Sequence, residues 1–271
     1  MVDTWKSNVI NVNDMRMHYD RTGNGEKPSL VLVHGFSDNG MCWAKTARKL
    51  EDRYDIVMPD SRGHGLSARV QPGDEIDNAG DLAALIQQLE LDQPIIAGHS
   101  MGASSVSELA VRFPELPKAL ILEDPPWRDP APLPEDNKTG ESIRPALHWV
   151  TTLVGKTLEQ VIEEYRPQHP SWEEDVLRAW CLGKVQLDQN FLDVQRLFRM
   201  SWREIVKGIQ CPTLLISADA PGGIVSDDIA QKAVEINTYV NHVHISGTGH
   251  HIRFENFADY FEAFNNFLSQ L

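Results

Sequence analysis

Leu30-Val31-Leu32-Val33 is apolar at every position. A run that does not alternate marks a strand covered on both faces, as in a parallel sheet flanked by helices. Before it, Val9-Ile10-Asn11-Val12, the turn pair Asn13-Asp14 and Met15-Arg16-Met17-His18-Tyr19 predict a β-hairpin. After it come a helical stripe of Trp43, Ala47 and Leu50, the strand Ile56-Val57-Met58 and a helix from Asp81 to Leu89. Pro94-Ile95-Ile96-Ala97 and Ala119-Leu120-Ile121-Leu122 are further strands, separated by a helix rich in Ala and Ser. This alternation predicts an α/β fold with a mostly parallel central sheet.

The texture changes at Pro125. Eight of the sixteen prolines lie between Pro125 and Pro170, and five of the seven tryptophans between Trp127 and Trp202, with no strand-like run up to about Arg203. An inserted helical cap over 125–205 is expected, with helices near Ser142–Val154, Leu158–Tyr165, Ser171–Leu182 and Leu187–Phe198. The α/β core then comprises 1–124 and 206–271. Its second part contains the strand Thr213–Ser217, a helix near Asp228–Ile236 and the strand Val240–Ile245. A last helix carries Phe257, Tyr260, Phe261, Phe264, Phe267, Leu268 and Leu271 on the face expected to dock on the sheet.

Composition narrows the function classes. The chain has 271 residues, 41% of them apolar, enough for a sizeable core. Its apolar runs fall far short of the ~20 residues needed to span a bilayer, and the polar start is not a signal peptide, so a cytoplasmic protein is expected. With 39 acidic against 25 basic residues the formal charge is −14, which disfavours nucleic acid and anionic membranes as partners. Cys42, Cys181 and Cys211 show no zinc or disulfide spacing and are expected to be buried thiols. His242 and His244 share a strand face, but packing rather than metal binding is expected of them.

The chemistry centres on Gly98-His99-Ser100-Met101-Gly102, where a strand must turn into a helix within a few residues. Such a turn strains its central residue and presents a nucleophile, here Ser100. A serine hydroxyl needs a base, and the base needs an orienting acid. Gly247-Thr248-Gly249-His250-His251 follows the last strand, which makes His250 the candidate base and leaves His251 a structural role. Asp219, the pair Glu123 and Asp124, and Asp60 all follow strands, so position alone leaves the acid open. The N–H of Met101, next after the nucleophile, is a candidate oxyanion donor.

His34-Gly35-Phe36, Asp60-Ser61-Arg62-Gly63-His64-Gly65-Leu66-Ser67, the Ser100 motif and Gly247-Thr248-Gly249-His250, in that order, resemble the α/β-hydrolase superfamily. The resemblance implies the α/β-hydrolase fold with a helical cap and a second oxyanion donor at Phe36. The family's usual acid position falls on Pro221. Some branches, among them haloalkane dehalogenases and zearalenone-type lactonases, carry the acid 24 positions after the nucleophile, which is Asp124. By the same resemblance Asp60 is structural, holding backbone amides and Arg62. Glu123, read by itself, is expected to be a solvated or capping carboxylate.

Serine rather than aspartate at position 100 points to acyl transfer, so a serine esterase or lactonase is expected. It would act without cofactor or metal on a small ester or lactone, as a monomer or homodimer. Trp127 and Trp149, near Asp124 and the start of the cap, are the candidate pocket walls, though the same tryptophans would equally serve as the cap's own core. Two rival readings are a C–C bond hydrolase with the same triad and a hydrolase-derived ligand receptor.

Overall fold

The computed structural model describes residues 5–128, 148–196 and 200–271. The first half of the core runs through β1 (Lys6–Val12), β2 (Met15–Arg21), β3 (Ser29–Val33), α1 (Ala44–Leu50), β4 (Asp55–Pro59), β5 (Glu75–Ile76), α2 (Asn78–Gln88), β6 (Ile95–His99), α3 (Met101–Arg112) and β7 (Ala119–Glu123). The segment expected to form the cap contributes α4 (His148–Thr151), α5 (Leu158–Tyr165), α6 (Glu174–Gln186) and β8 (Gln195–Arg196). The chain returns through α7 (Trp202–Gly208), β9 (Thr213–Ala218), α8 (Asp227–Ile236), β10 (Val240–Ile245), α9 (Ile252–Glu255) and α10 (Phe257–Leu268).

Eight strands form one sheet in the order β1-β2-β4-β3-β6-β7-β9-β10. Strand β2 pairs antiparallel with β1 and β4, and every pair from β4 through β10 is parallel. The apolar run of β3 explains itself in this setting. Val31 and Val33 enter the core on the side of α2, α3, α7 and α8, while Leu30 and Leu32 join Trp43, Leu50, Tyr260 and Phe264 on the other. Period-two alternation is present, but both faces are buried, so the sequence shows no polar positions. The final helix docks as expected, with Tyr260, Phe264, Phe267 and Leu268 buried.

The expected helix Leu158–Tyr165 has those bounds, and Ser171–Leu182 corresponds to α6. Of Ser142–Val154, the stretch His148–Thr151 is helical and the part before it lies outside the described residues. Of Leu187–Phe198, Leu197 and Phe198 lie outside the described residues, and the part up to Arg196 is not an α-helix. Its apolar spacing belongs to a 3₁₀ turn, Gln189–Asp193, followed by β8, which pairs parallel with β5. The reason lies in its partners: Asp188 N–H donates to the Gly63 carbonyl and the Asp188 carboxylate accepts from Val70 and Asn190 N–H. The Asp193 carbonyl, which a continuing helix would need, accepts from Gly73 N–H instead. The three cysteines are buried free thiols. Among the described residues no helix is long and apolar enough to cross a membrane.

Phe264, fully buried between α10 and the sheet, gives a direct check of this packing. Phe264→Ala should lower the unfolding free energy in urea by about 3–5 kcal/mol, whereas a loss under 1 kcal/mol would contradict a filled core at this place.

Candidate active site

The loops at the C-terminal ends of β3, β6, β7 and β10 carry the candidate residues. Ser100 joins β6 to α3 with φ 51° and ψ −117°, a left-handed backbone that a non-glycine residue adopts only where its surroundings impose it. Its N–H donates to the Glu123 carbonyl at 2.9 Å, anchoring the bend to β7. The tightness of the bend also dictates Gly98, where a Cβ would stand 2.6 Å from the Ala103 nitrogen.

Asp124 follows β7, also at positive φ (43°), and has no solvent exposure. Its carboxylate accepts from the N–H groups of Ile224, at 2.9 and 3.0 Å, and Val225, at 2.9 Å, and from His250 Nδ1 at 2.6 Å. Because a carboxylate only accepts, Nδ1 carries the proton and Nε2 of a neutral ring is left with its lone pair. The His250 side chain is 25% exposed, so that lone pair belongs to a ring open on one side. Among the described residues no hydrogen bond joins Ser100 Oγ to His250. The two are neighbours through His99, whose ring lies 4.6 Å from that of His250 and whose Nε2 donates to the His250 carbonyl at 2.9 Å.

Met101 opens α3, where N–H groups have no partner within the helix. Phe36 sits in the turn after β3, and both side chains pack against the buried cluster that contains Val70, Val150, Leu187 and Phe191. This apolar seam joins residues from the 148–196 stretch to the β3 and β6 loops beside the elbow. Trp127 is buried in the core and stacks on Trp202 at 6.3 Å. Trp149 is 36% exposed on α4. A cavity of about 760 Å³ lined by Arg21, Lys27, Ser29, Tyr54 and Ile95 lies at the strands' opposite, N-terminal ends and contains none of these residues.

The remaining carboxylates sort by their partners. Asp219 is half exposed and accepts from Gly247 N–H and His244 Nε2, away from His250. Asp60 accepts from the N–H groups of Gly40 and Leu66 and from His18 Nδ1. It does not meet Arg62, which turns instead to Asp81 and Asp14. Glu123 is neither solvated nor a cap: it is fully buried in an ion pair with Arg253 at 2.9 Å. Strand alternation turns it to the face of β7 opposite Asp124. His251 accepts from Trp180 Nε1 at 3.2 Å within an aromatic cluster of Trp172, Trp180 and Phe254. His242 and His244 converge on Ser217 Oγ.

Sequence reasoning did not single out Asp38, His99, Lys184 or Arg253, all buried beside the site. One signal existed for Lys184. It continues the buried face Val176, Leu177, Trp180 and Cys181 of α6 at helical spacing, a cation where an apolar residue is expected.

A family model for the alpha/beta hydrolase family matches residues 30–264. The chain belongs to that family. It is 27% identical over 268 residues to N-formylmaleamate deformylase of Pseudomonas putida, covering 96% of this chain and 95% of the relative. It is 30% identical over 108 residues to 3-oxoadipate enol-lactonase 2 of Acinetobacter baylyi, a match that spans 40% of each. The crystal structure of E-2-(acetamidomethylene)succinate hydrolase superposes with a TM-score of 0.73 at 20% identity, covering 98% of this chain and 99% of that one. That of carboxylesterase CesB from Bacillus subtilis gives 0.76 at 16%, covering 98% and 92%. At these identities the structural likeness establishes the fold.

Burial sets the protonation of the inner imidazoles. It lowers His64 to about 3, with the neighbouring His34 adding to the effect. Burial and the Arg253 guanidinium lower His99, and burial with the adjacent imidazoles takes His251 well below the usual histidine range. The unfolded chain therefore binds protons that the folded one refuses, and stability contributed by neutral His64 is full above pH ~6.5 and lost as pH falls toward about 3. Urea unfolding of the wild type between pH 7 and 4 should show this decline, with a smaller decline in His64→Gln; equal slopes would refute the assignment.

Proposed function

We propose that the protein is a serine hydrolase that cleaves a small carboxylic ester or lactone through an acyl-enzyme. The observation that carries this reading is the 2.6 Å bond from His250 Nδ1 to the buried Asp124 carboxylate. It fixes the ring's orientation and tautomer, and it stabilises the positive charge that the ring acquires when it takes a proton. Nε2 is then the base, and Ser100, at the tip of the strained elbow, is the hydroxyl it serves.

In the proposed cycle Ser100 Oγ attacks the carbonyl carbon while its proton passes to His250 Nε2. The oxyanion is held by the N–H groups of Phe36 and Met101, each such donor contributing roughly 2.7–4 kcal/mol in the transition state. The intermediate collapses, the C–O bond to the leaving alcohol breaks, and His250 returns the proton to that oxygen. Water, deprotonated by the same nitrogen, attacks the acyl carbon, and collapse releases the acid and restores the serine hydroxyl. The apolar seam of Phe36, Met101, Val150 and Phe191 suits an uncharged acyl group.

A second reading, cleavage of an N-acyl bond by the same residues, is favoured by the near full-length similarity to N-formylmaleamate deformylase. Parallel assays of matched esters, lactones and N-acyl compounds decide between the readings by kcat/KM.

Ser100→Ala should cut kcat by a factor of about 10⁶, and Asp124→Asn by roughly 10⁴ through loss of the correct tautomer. Asp219→Asn should leave kcat nearly unchanged. Steady-state kinetics on the best substrate test all three, and a crippled Asp219→Asn beside an active Asp124→Asn overturns the assignment of the acid.

A further inference from the structure

Lys184 in the cap helix α6 and Asp38, two positions after Phe36, form a buried ion pair. Nζ lies 3.3 Å from Oδ1, and the side chains are 1% and 2% exposed. The same ammonium donates to Ser37 Oγ at 3.1 Å and to the Ser37 carbonyl at 3.5 Å, and it stands 3.5 Å from the Trp180 ring centroid. Ser37 has φ 61°, so the turn that follows Phe36 holds a costly backbone conformation. The helix backbone presses on that turn as well, since a Cβ on Gly183 would stand 2.8 Å from the Ser37 oxygen.

The ion pair belongs to a wider cluster. Asp38 Oδ2 faces His99 Nδ1 at 3.8 Å and an Arg253 guanidinium nitrogen at 3.9 Å. His99 precedes Ser100 and donates to the His250 carbonyl; Arg253 pairs with Glu123, which precedes Asp124. Each proposed site residue thus has a near neighbour in one buried polar cluster. Lys184 is the charged member that the cap supplies. An apolar side chain of similar length would fill its place at less cost than a buried ammonium, so stability alone does not account for a lysine there. Directed donors onto Ser37 and Asp38 do.

We propose that Lys184 is a positioning residue, which by clamping Ser37 and Asp38 holds the Phe36 N–H where a developing oxyanion needs it. The cap is then part of the oxyanion site, and transition-state stabilisation depends on its being seated. This inference rests on the assignment of Ser100 and Phe36 above.

The test uses the full chain and a fluorophosphonate probe, whose reaction with Ser100 passes through an oxyanion of the same kind. Wild type should be labelled at Ser100 and Ser100→Ala should not; no labelling of the wild type overturns the functional reading itself. Given labelling, Lys184→Met should react roughly 10- to 100-fold more slowly at saturating probe, since misplacement by about 1 Å is enough to cause such a loss. The half-saturating probe concentration should change less than about twofold, the split expected when only transition-state contacts are lost, and Lys184→Arg should regain part of the rate. Where Lys184→Met does not fold, the double variant Asp38→Asn, Lys184→Met removes the orphaned carboxylate and serves in its place. It should be folded by thermal melting and equally slow. A folded variant, single or double, that labels at the wild-type rate overturns the positioning role.

Discussion

A carboxylate with no access to water must be met by donors, and the burial of Asp124 imposes that demand on the whole C-terminal edge of the sheet. Two N–H groups come from the loop after β9 and one imidazole from the loop after β10. The last of these joins residues 126 positions apart. Glu123, one residue earlier, makes a separate demand on the other face of β7, answered by Arg253. Two adjacent acids therefore draw both faces of one strand end into fixed company. Loss of Arg253 would leave the Glu123 charge buried and unpaired.

What the sequence could disclose followed the range of the interactions involved. Strands such as Leu30–Val33 and the bend Gly98–Gly102 are written in consecutive residues, and their positions in the fold follow from local periodicity and steric need. The candidate for an orienting acid was harder, because Asp60, Asp124 and Asp219 all stand at strand ends and only the return path of distant loops separates them. Asp219 is claimed by Gly247 and His244, Asp60 by Gly40 and Leu66. The Lys184–Asp38 pair spans 146 positions, with no local pattern to announce it beyond a cation on an apolar helix face. Between Leu187 and Phe191 the apolar spacing was real, but it serves a 3₁₀ turn that lays Phe191 within 6.0 Å of the Phe36 ring.

Electrostatics divides the site into two zones. Inside, His64, His99 and His251 are held neutral by burial and by neighbouring cations or imidazoles, so their ring nitrogens act as fixed single donors and acceptors. The His250 ring, by contrast, is partly open to solvent and tied to a carboxylate through one nitrogen only. The inner zone supplies shape, and the His250 ring stands at its solvent edge.

The return limb of the expected cap, from Asp188 to Arg196, is sewn to the loop between β4 and α2 by main-chain bonds: Asp188 to Gly63, Gly73 to Asp193, and the short β5–β8 ladder. In mechanical terms this limb behaves as an extension of the core. Anyone transplanting the cap onto a related scaffold would have to carry the stretch from Gly63 to Ile76 with it, because the graft's seam runs through that stretch and not only through the two points where the chain crosses from one part to the other.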